Sequence, residues 1–315
     1  MSTRWMLRLL LLVQGVFVLG LAWLLQRAGV IHAGWLALAG ACALLLLLRL
    51  AITANNFMLT ARYSSATPDA FKLGPLARLR MFGEEFMATM LYSSWFMAKA
   101  SARACIYPDS DQLPVLLLHG YGCNSGYWDH LTPLLDQARI SHAALDLEPV
   151  LGSIDDYVPL VQQACASLCT KTNAPKVIIV AHSMGGLVAR AYLRAHGAER
   201  VAHVFTLGTP HHGTSLASFG VGKNAAQMRR SASADAPESG WLQELALAED
   251  DASRALITSL FTHHDNIVAP QTSSQLAGAR NIAFGGIGHV ALGRNRRVLA
   301  CLMDEIAAVR TPSIL

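Results

Sequence analysis

The six cysteines of this 315-residue chain include no C-x-x-C pair, which argues for reduced thiols rather than a disulfide framework. Cys42 lies in an apolar run, and the rest form the odd set Cys105, Cys123, Cys165, Cys169 and Cys301. Cys165 and Cys169 would share a helix face, but no histidine pair nearby completes a zinc site, so metal binding by the cysteines is not expected. Charge of one sign is also scarce: the net charge is +4 and falls partly beside the apolar runs, so no nucleic-acid-binding patch is expected. Internal repeats and low-complexity tracts are absent, which excludes a solenoid.

Long apolar runs are present, and they lie at one end. Residues 9–25 are apolar apart from Gln14, and residues 30–48 apart from His32, so each approaches the roughly 20 residues that cross a bilayer core. Gln26-Arg27-Ala28-Gly29 suits a turn at the lipid–water boundary, and Trp5, Trp23 and Trp35 suit interfacial belts. Arg4 and Arg8 precede the first run, and Arg49, Arg62, Lys72, Arg78 and Arg80 follow the second, against Arg27 alone between them. That bias predicts a multi-pass inner-membrane protein of bacterial type with both ends, and the catalytic part, in the cytoplasm. A periplasmic catalytic part is the alternative. A cleaved signal peptide competes with this reading, but a second apolar run follows and no small-x-small site stands after Leu25.

The expected organisation is two transmembrane helices over 1–52, a helical connector over 53–112 and a catalytic domain over 113–315. Within the connector, residues 76–100 read as an amphipathic helix that docks Phe82, Phe86, Met90 and Trp95 on the following domain, with Glu84 and Glu85 interrupting its basic face; lying on the membrane surface is the alternative. From Pro114 onward, short apolar runs alternate with helical patterns. Strands are expected at 115–118, 142–147, 176–181, 201–207, 255–261 and 280–284, with helices at 128–137, 154–170, 187–196 and 292–309. This alternation predicts an α/β class, a mainly parallel sheet with helices on both faces.

Chemistry concentrates at the ends of those strands. Ala181-His182-Ser183-Met184-Gly185-Gly186 joins a strand to a helix through small residues, a turn that exposes a serine, so Ser183 is the candidate nucleophile. His119-Gly120-Tyr121-Gly122 follows the first strand, where the Tyr121 N–H, with that of Met184, would stabilise a tetrahedral oxyanion. Asp265 follows the strand ending near Phe261 and is the candidate acid, although Asp235, Asp250 and Asp251 also lie between serine and histidine. His289, reached through Gly285-Gly286-Ile287-Gly288, is the candidate base and completes the order Ser, Asp, His. His119, Gly120, Gly122, His182 and Gly185 are read as supporting, and His211, His212, His263 and His264 as supporting or surface residues.

These motifs, with Thr206-Leu207-Gly208-Thr209-Pro210-His211-His212-Gly213-Thr214 and Asp265-Asn266-Ile267-Val268, resemble the α/β-hydrolase superfamily, in particular bacterial triacylglycerol lipases and esterases, over roughly residues 113–310. Ala181 departs from the glycine that many members carry. The resemblance implies an α/β-hydrolase fold and cleavage of acyl esters through an acyl-enzyme, with an acyl ester or lipid as substrate, the bilayer as partner and no cofactor. Some secreted relatives hold a structural calcium, but no acidic cluster here matches such a site. An acyltransferase or thioesterase using the same triad, and a silent interaction module, are the alternatives. Residues 213–254 are too long for a simple connection and are expected to form a small helical lid or an ordinary amphipathic surface helix. Its apolar side would be Trp241, Leu242, Leu245 and Leu247, with Glu244, Glu249, Asp250 and Asp251 facing water.

Overall fold

Val115–Leu118 (β2) and Val177–His182 (β4) are apolar on both faces and wholly buried, the signature of central strands in a sheet covered on two sides. They pair in parallel with each other. His142–Leu145 (β3), Val201–Leu207 (β5), Ile257–Thr262 (β6) and Arg280–Phe284 (β7) extend the sheet outward, all parallel. Ala104–Cys105 (β1), a two-residue strand, closes one edge antiparallel to β3, giving the order β1-β3-β2-β4-β5-β6-β7. The computed structural model describes residues 2–230 and 238–309. Asp235 and part of the expected lid lie outside these residues.

Alternation along the strands feeds two cores. Leu116, Leu118, Ile179 and Ala181 face a layer that includes helices Val158–Thr172 and Met184–His196, while Val115, Leu117, Ile178 and Val180 face one that includes Leu131, Leu135 and the helix Arg296–Ala308. The expected helix 128–137 is broken: a 3₁₀ turn spans Ser125–Trp128 and the α-helix is Thr132–Gln137. Pro133 is the cause, since it lacks an N–H and tolerates only the first helical turn. The last helix starts at Arg296 rather than 292 because the Asn295 side chain accepts the Arg297 N–H at 3.1 Å and caps it there.

Two long apolar helices precede the sheet, Thr3–Arg27 (α1) and Gly34–Ala61 (α2), each long and apolar enough to cross a bilayer. Helix α2 does not stop at 52. Its last turns lie on the sheet domain, where Thr60 Oγ1 donates to the Asn266 carbonyl at 2.8 Å and Phe57 meets Phe82 of the helix Pro75–Leu91 (α3) at 5.7 Å between rings. Helix α3 buries Met81, Glu85 and Ala88, followed by Tyr92 in a π-turn. The docked stripe is therefore rotated from the expected one: Trp95 is exposed, and the acidic Glu85 faces inward.

In the 213–254 segment, Leu242 and Leu245 are buried as expected, whereas Leu247 is 87% exposed. Glu249 is not a water-facing residue. It forms a buried bidentate pair with Arg190, at 2.6 and 2.7 Å, which fastens the segment to Met184–His196. Trp241 adds a hydrogen bond from Nε1 to Asp155 Oδ2 at 2.7 Å.

Candidate active site

Four loops at the carboxyl ends of β2, β4, β6 and β7 carry the candidate residues, the rim where open parallel sheets hold ligands. Ser183 follows β4 directly and has φ 53° and ψ −125°, a conformation that a side-chain-bearing residue adopts only under constraint. The constraint is visible on both sides: the Ser183 N–H donates to the Leu207 carbonyl at 2.9 Å, and the Ser183 carbonyl accepts from Thr209 Oγ1 at 2.9 Å. Small neighbours are obligatory. A Cβ at Gly185 would stand 2.5 Å from the Leu118 carbonyl oxygen, and one at Gly120 would stand 2.9 Å from Ser183 Cβ.

The Gly120 contact brings the loop after β2 against the serine. His119 braces that loop: its Nε2 accepts the Leu147 N–H at 2.9 Å, which leaves the proton on Nδ1, 2.9 Å from the Gly120 carbonyl. Gly122 completes the turn at φ 66°. Among the described residues, neither the Tyr121 nor the Met184 backbone N–H is taken up by another hydrogen bond.

Asp265 and His289 meet across adjacent strand ends, with His289 Nδ1 2.7 Å from Asp265 Oδ2. The other oxygen, Asp265 Oδ1, accepts from Ile267 N at 2.8 Å and Val268 N at 2.7 Å, so the carboxylate is fixed in orientation before it meets the imidazole. The His289 N–H donates to Asn266 Oδ1 at 2.9 Å. Burial pulls the His289 pKa down, but the charge and hydrogen bond of Asp265, joined by the charge of Glu85, outweigh it and set it above the ordinary imidazole value. A Cβ at Gly208, at the end of β5, would lie 3.2 Å from both Asp265 Oδ2 and His289 Nδ1, so this pair faces the loop beside Ser183. Among the described residues the Ser183 hydroxyl itself forms no hydrogen bond.

His182 lies between the parts. Its ring stacks on Tyr127 at 4.0 Å, and its Nε2 is 3.3 Å from the His289 carbonyl. Burial, then the nearby His289, holds its pKa well below the ordinary value, so it is a neutral packing element. Other histidines lie in other contacts: His211 contacts Arg190 and Thr206, His212 pairs with Glu238, His264 Nδ1 accepts from Gly286 N, and the His263 ring packs against Phe71 and Phe261. No group of three or more potential metal ligands occurs among the described residues.

Ser183 and Tyr121 open into a cleft of about 380 Å³. Its walls come from the 213–228 segment, including Leu216, Phe219 and Met228, from Ile267 and Val268, and from Asn55, Asn56 and Leu59 of α2. No charged side chain lines it among the described residues. The α2 wall, the Asn266 contact and Glu85 were not legible as site features in the sequence, because each depends on chain segments brought together from opposite ends.

The sequence from 115 to 309 matches the family model described as the alpha/beta hydrolase family. A triacylglycerol lipase of Burkholderia plantarii is 31% identical over 140 residues, covering 39% of this chain and 37% of that protein. A triacylglycerol lipase of Pseudarthrobacter phenanthrenivorans is 33% identical over 120 residues, covering 34% and 35%. The chain thus spans little more than a third of the length of the curated relatives it matches. Among solved structures, a Bacillus licheniformis lipase in mature form superposes with a TM-score of 0.56 at 17% identity, covering 65% of this chain and 98% of that one, a likeness of fold. The family match over well over half of the sequence, together with the seven-stranded, mostly parallel sheet, establishes that the chain belongs to the alpha/beta hydrolase family.

Proposed function

We propose that this protein is a membrane-anchored serine hydrolase of acyl esters, with Ser183 as nucleophile, His289 as base and Asp265 as the acid that orients it. Ser183 attacks the ester carbonyl while His289 takes its proton; the tetrahedral oxyanion lies between the Tyr121 and Met184 N–H groups. His289 then protonates the leaving alcohol, and a water activated by the same imidazole cleaves the acyl-enzyme. Asp265 keeps the His289 proton on Nδ1, so that Nε2 is free to accept. The observation that carries this reading is the constrained backbone of Ser183 at the end of β4, on the same rim as the buried His289–Asp265 pair at 2.7 Å. The lipase names of the relatives agree with it.

Without a charged side chain among its described lining residues, the cleft favours a neutral acyl chain over a charged group, because a buried unpaired charge would be costly there. The two apolar helices supply the anchor, the end of α2 and α3 connect it to the catalytic domain, and the segment that begins at Gly213 caps the cleft through Leu216, Phe219 and Met228. The flanking arginines favour a cytoplasmic catalytic domain. Leu59 lies ten residues beyond Arg49 in α2, about 15 Å along the helix. The cleft is thus walled in part by the helix that would leave the bilayer, which suits a lipid-derived ester.

The decisive experiment is labelling of the detergent-solubilised full chain by a fluorophosphonate probe, paired with p-nitrophenyl ester turnover. Labelling and turnover that both vanish in Ser183→Ala are expected. Folded wild-type protein that takes no label and turns over no ester would overturn the proposal.

A further inference from the structure

Glu85 sits on α3, outside the segment that matches the family, yet it is 1% exposed and reaches the loop that carries His289. Its two oxygens accept the next two backbone amides after that histidine, Val290 N at 3.0 Å and Ala291 N at 2.8 Å. The approach on the other side is just as close, since a Cβ on Gly288 would stand 2.5 Å from Glu85 Oε2. One carboxylate thus holds the two residues after the imidazole and leaves no room for a side chain on the residue before it.

A buried carboxylate is an expensive way to tie down a loop, because its desolvation costs several kcal/mol that a neutral side chain would not incur. Burial accordingly raises the Glu85 pKa above the ordinary carboxylate value; the two amides and His289 offset part of the rise, and Asp265 adds a little to it. Both oxygens face N–H donors, an arrangement made for the ionised form. The titratable groups around Glu85 are His289, Asp265 and the Tyr127 phenol; those around His289 are Asp265, Glu85 and the neutral His182. Asp265 is therefore not the sole negative charge that an imidazolium at His289 would meet.

We propose that Glu85 is a positioning residue for His289: it holds the loop that carries the imidazole and supplies a second negative charge beside it. The catalytic centre is then complete only when the connector helix α3 is docked. The proposal rests on His289 acting as the base.

The test compares the full chain in detergent with Glu85→Gln, which keeps the size of the side chain and removes its charge. Two quantities are read: the titration midpoint of the His289 imidazole by NMR of histidine-labelled protein, and the pH dependence of kcat/KM for a p-nitrophenyl ester. In Glu85→Gln both the midpoint and the acidic limb are expected to move to lower pH together, by about half a pH unit or more, with kcat reduced about tenfold. A residue with only a structural role would lower kcat without moving the midpoint, and an unchanged midpoint and limb would overturn the proposal. If Glu85→Gln does not fold, Glu85→Asp decides, since it keeps the charge but withdraws it by one methylene. Reduced kcat is expected there, and wild-type kcat with a wild-type midpoint would refute the role. Wild-type protein without turnover or fluorophosphonate labelling refutes the hydrolase instead, and the NMR midpoint still reads the coupling of Glu85 to His289.

Discussion

Asp265→Asn perturbs the candidate site with the least change of shape. The asparagine carbonyl oxygen can keep the two amide hydrogen bonds now made by Asp265 Oδ1, from Ile267 at 2.8 Å and Val268 at 2.7 Å. Its NH₂ group is then forced toward His289 Nδ1, in the place of the oxygen that stands 2.7 Å away. Two donors cannot share that contact, so the imidazole proton moves to Nε2 and the base can no longer accept from Ser183. The imidazolium that forms during attack also loses its closest counter-charge. In serine proteases the same exchange of aspartate for asparagine lowers kcat by about 10⁴. With Glu85 still in place as a second negative charge, a fall of about 10³ to 10⁴ is expected, roughly 4–5.5 kcal/mol of barrier. The assay is p-nitrophenyl ester turnover together with the rate of fluorophosphonate labelling, on protein whose melting curve confirms folding. Folded Asp265→Asn within tenfold of the wild-type rate would remove Asp265 from its role.

Three further outcomes follow from the same geometry. Ser183→Gly should abolish turnover yet raise stability by about 1 kcal/mol, since it releases roughly 1–3 kcal/mol of backbone strain against a glycine entropy cost of about 0.5–1; a melting temperature at or below that of Ser183→Ala would contradict the strain. Glu249→Ala should destabilise by about 3–5 kcal/mol, because it strands the Arg190 guanidinium, 1% exposed, without its bidentate partner; a denaturation midpoint equal to wild type would show that the pair carries no such weight. For the wild type, His289 must be neutral to act as base and its pKa is raised above the ordinary 6.5, so kcat/KM should climb with pH through a midpoint above 6.5; half-maximal activity well below that value would point to another base. The sign for folding is the reverse: the pairing of protonated His289 with Asp265 adds stability below the unfolded imidazole pKa, and the gain is lost as pH rises through the folded value.

What could be read from the sequence was whatever depends on neighbours in the chain. Strands β2, β5 and β7 coincide with their apolar runs, and the elbow of Ser183 is written in six consecutive residues, because strand, turn and helix there are each local choices. Helix starts were less legible. Pro133 and Asn295 moved two of them by several residues, since a cap or a proline decides where a helix begins even when the apolar period runs further. β1, two residues long, carries too little pattern to be seen. The largest displacement is that of Glu85, whose charge reads as a solvent-facing position on any helix wheel. The backbone amides of Val290 and Ala291, more than two hundred residues away, together with His289, make its burial tolerable. The same reasoning applies to α2, where an apolar run read as span alone continues to Ala61 and furnishes Asn55, Asn56 and Leu59 to the cleft at Ser183. Both departures come from the segment before residue 113 and both end at the rim of the sheet. The N-terminal part is therefore joined to the candidate site by packing and hydrogen bonds, not by chain connectivity alone, and a protein cut at 113 would lose one wall of its cleft and the brace on its histidine loop together.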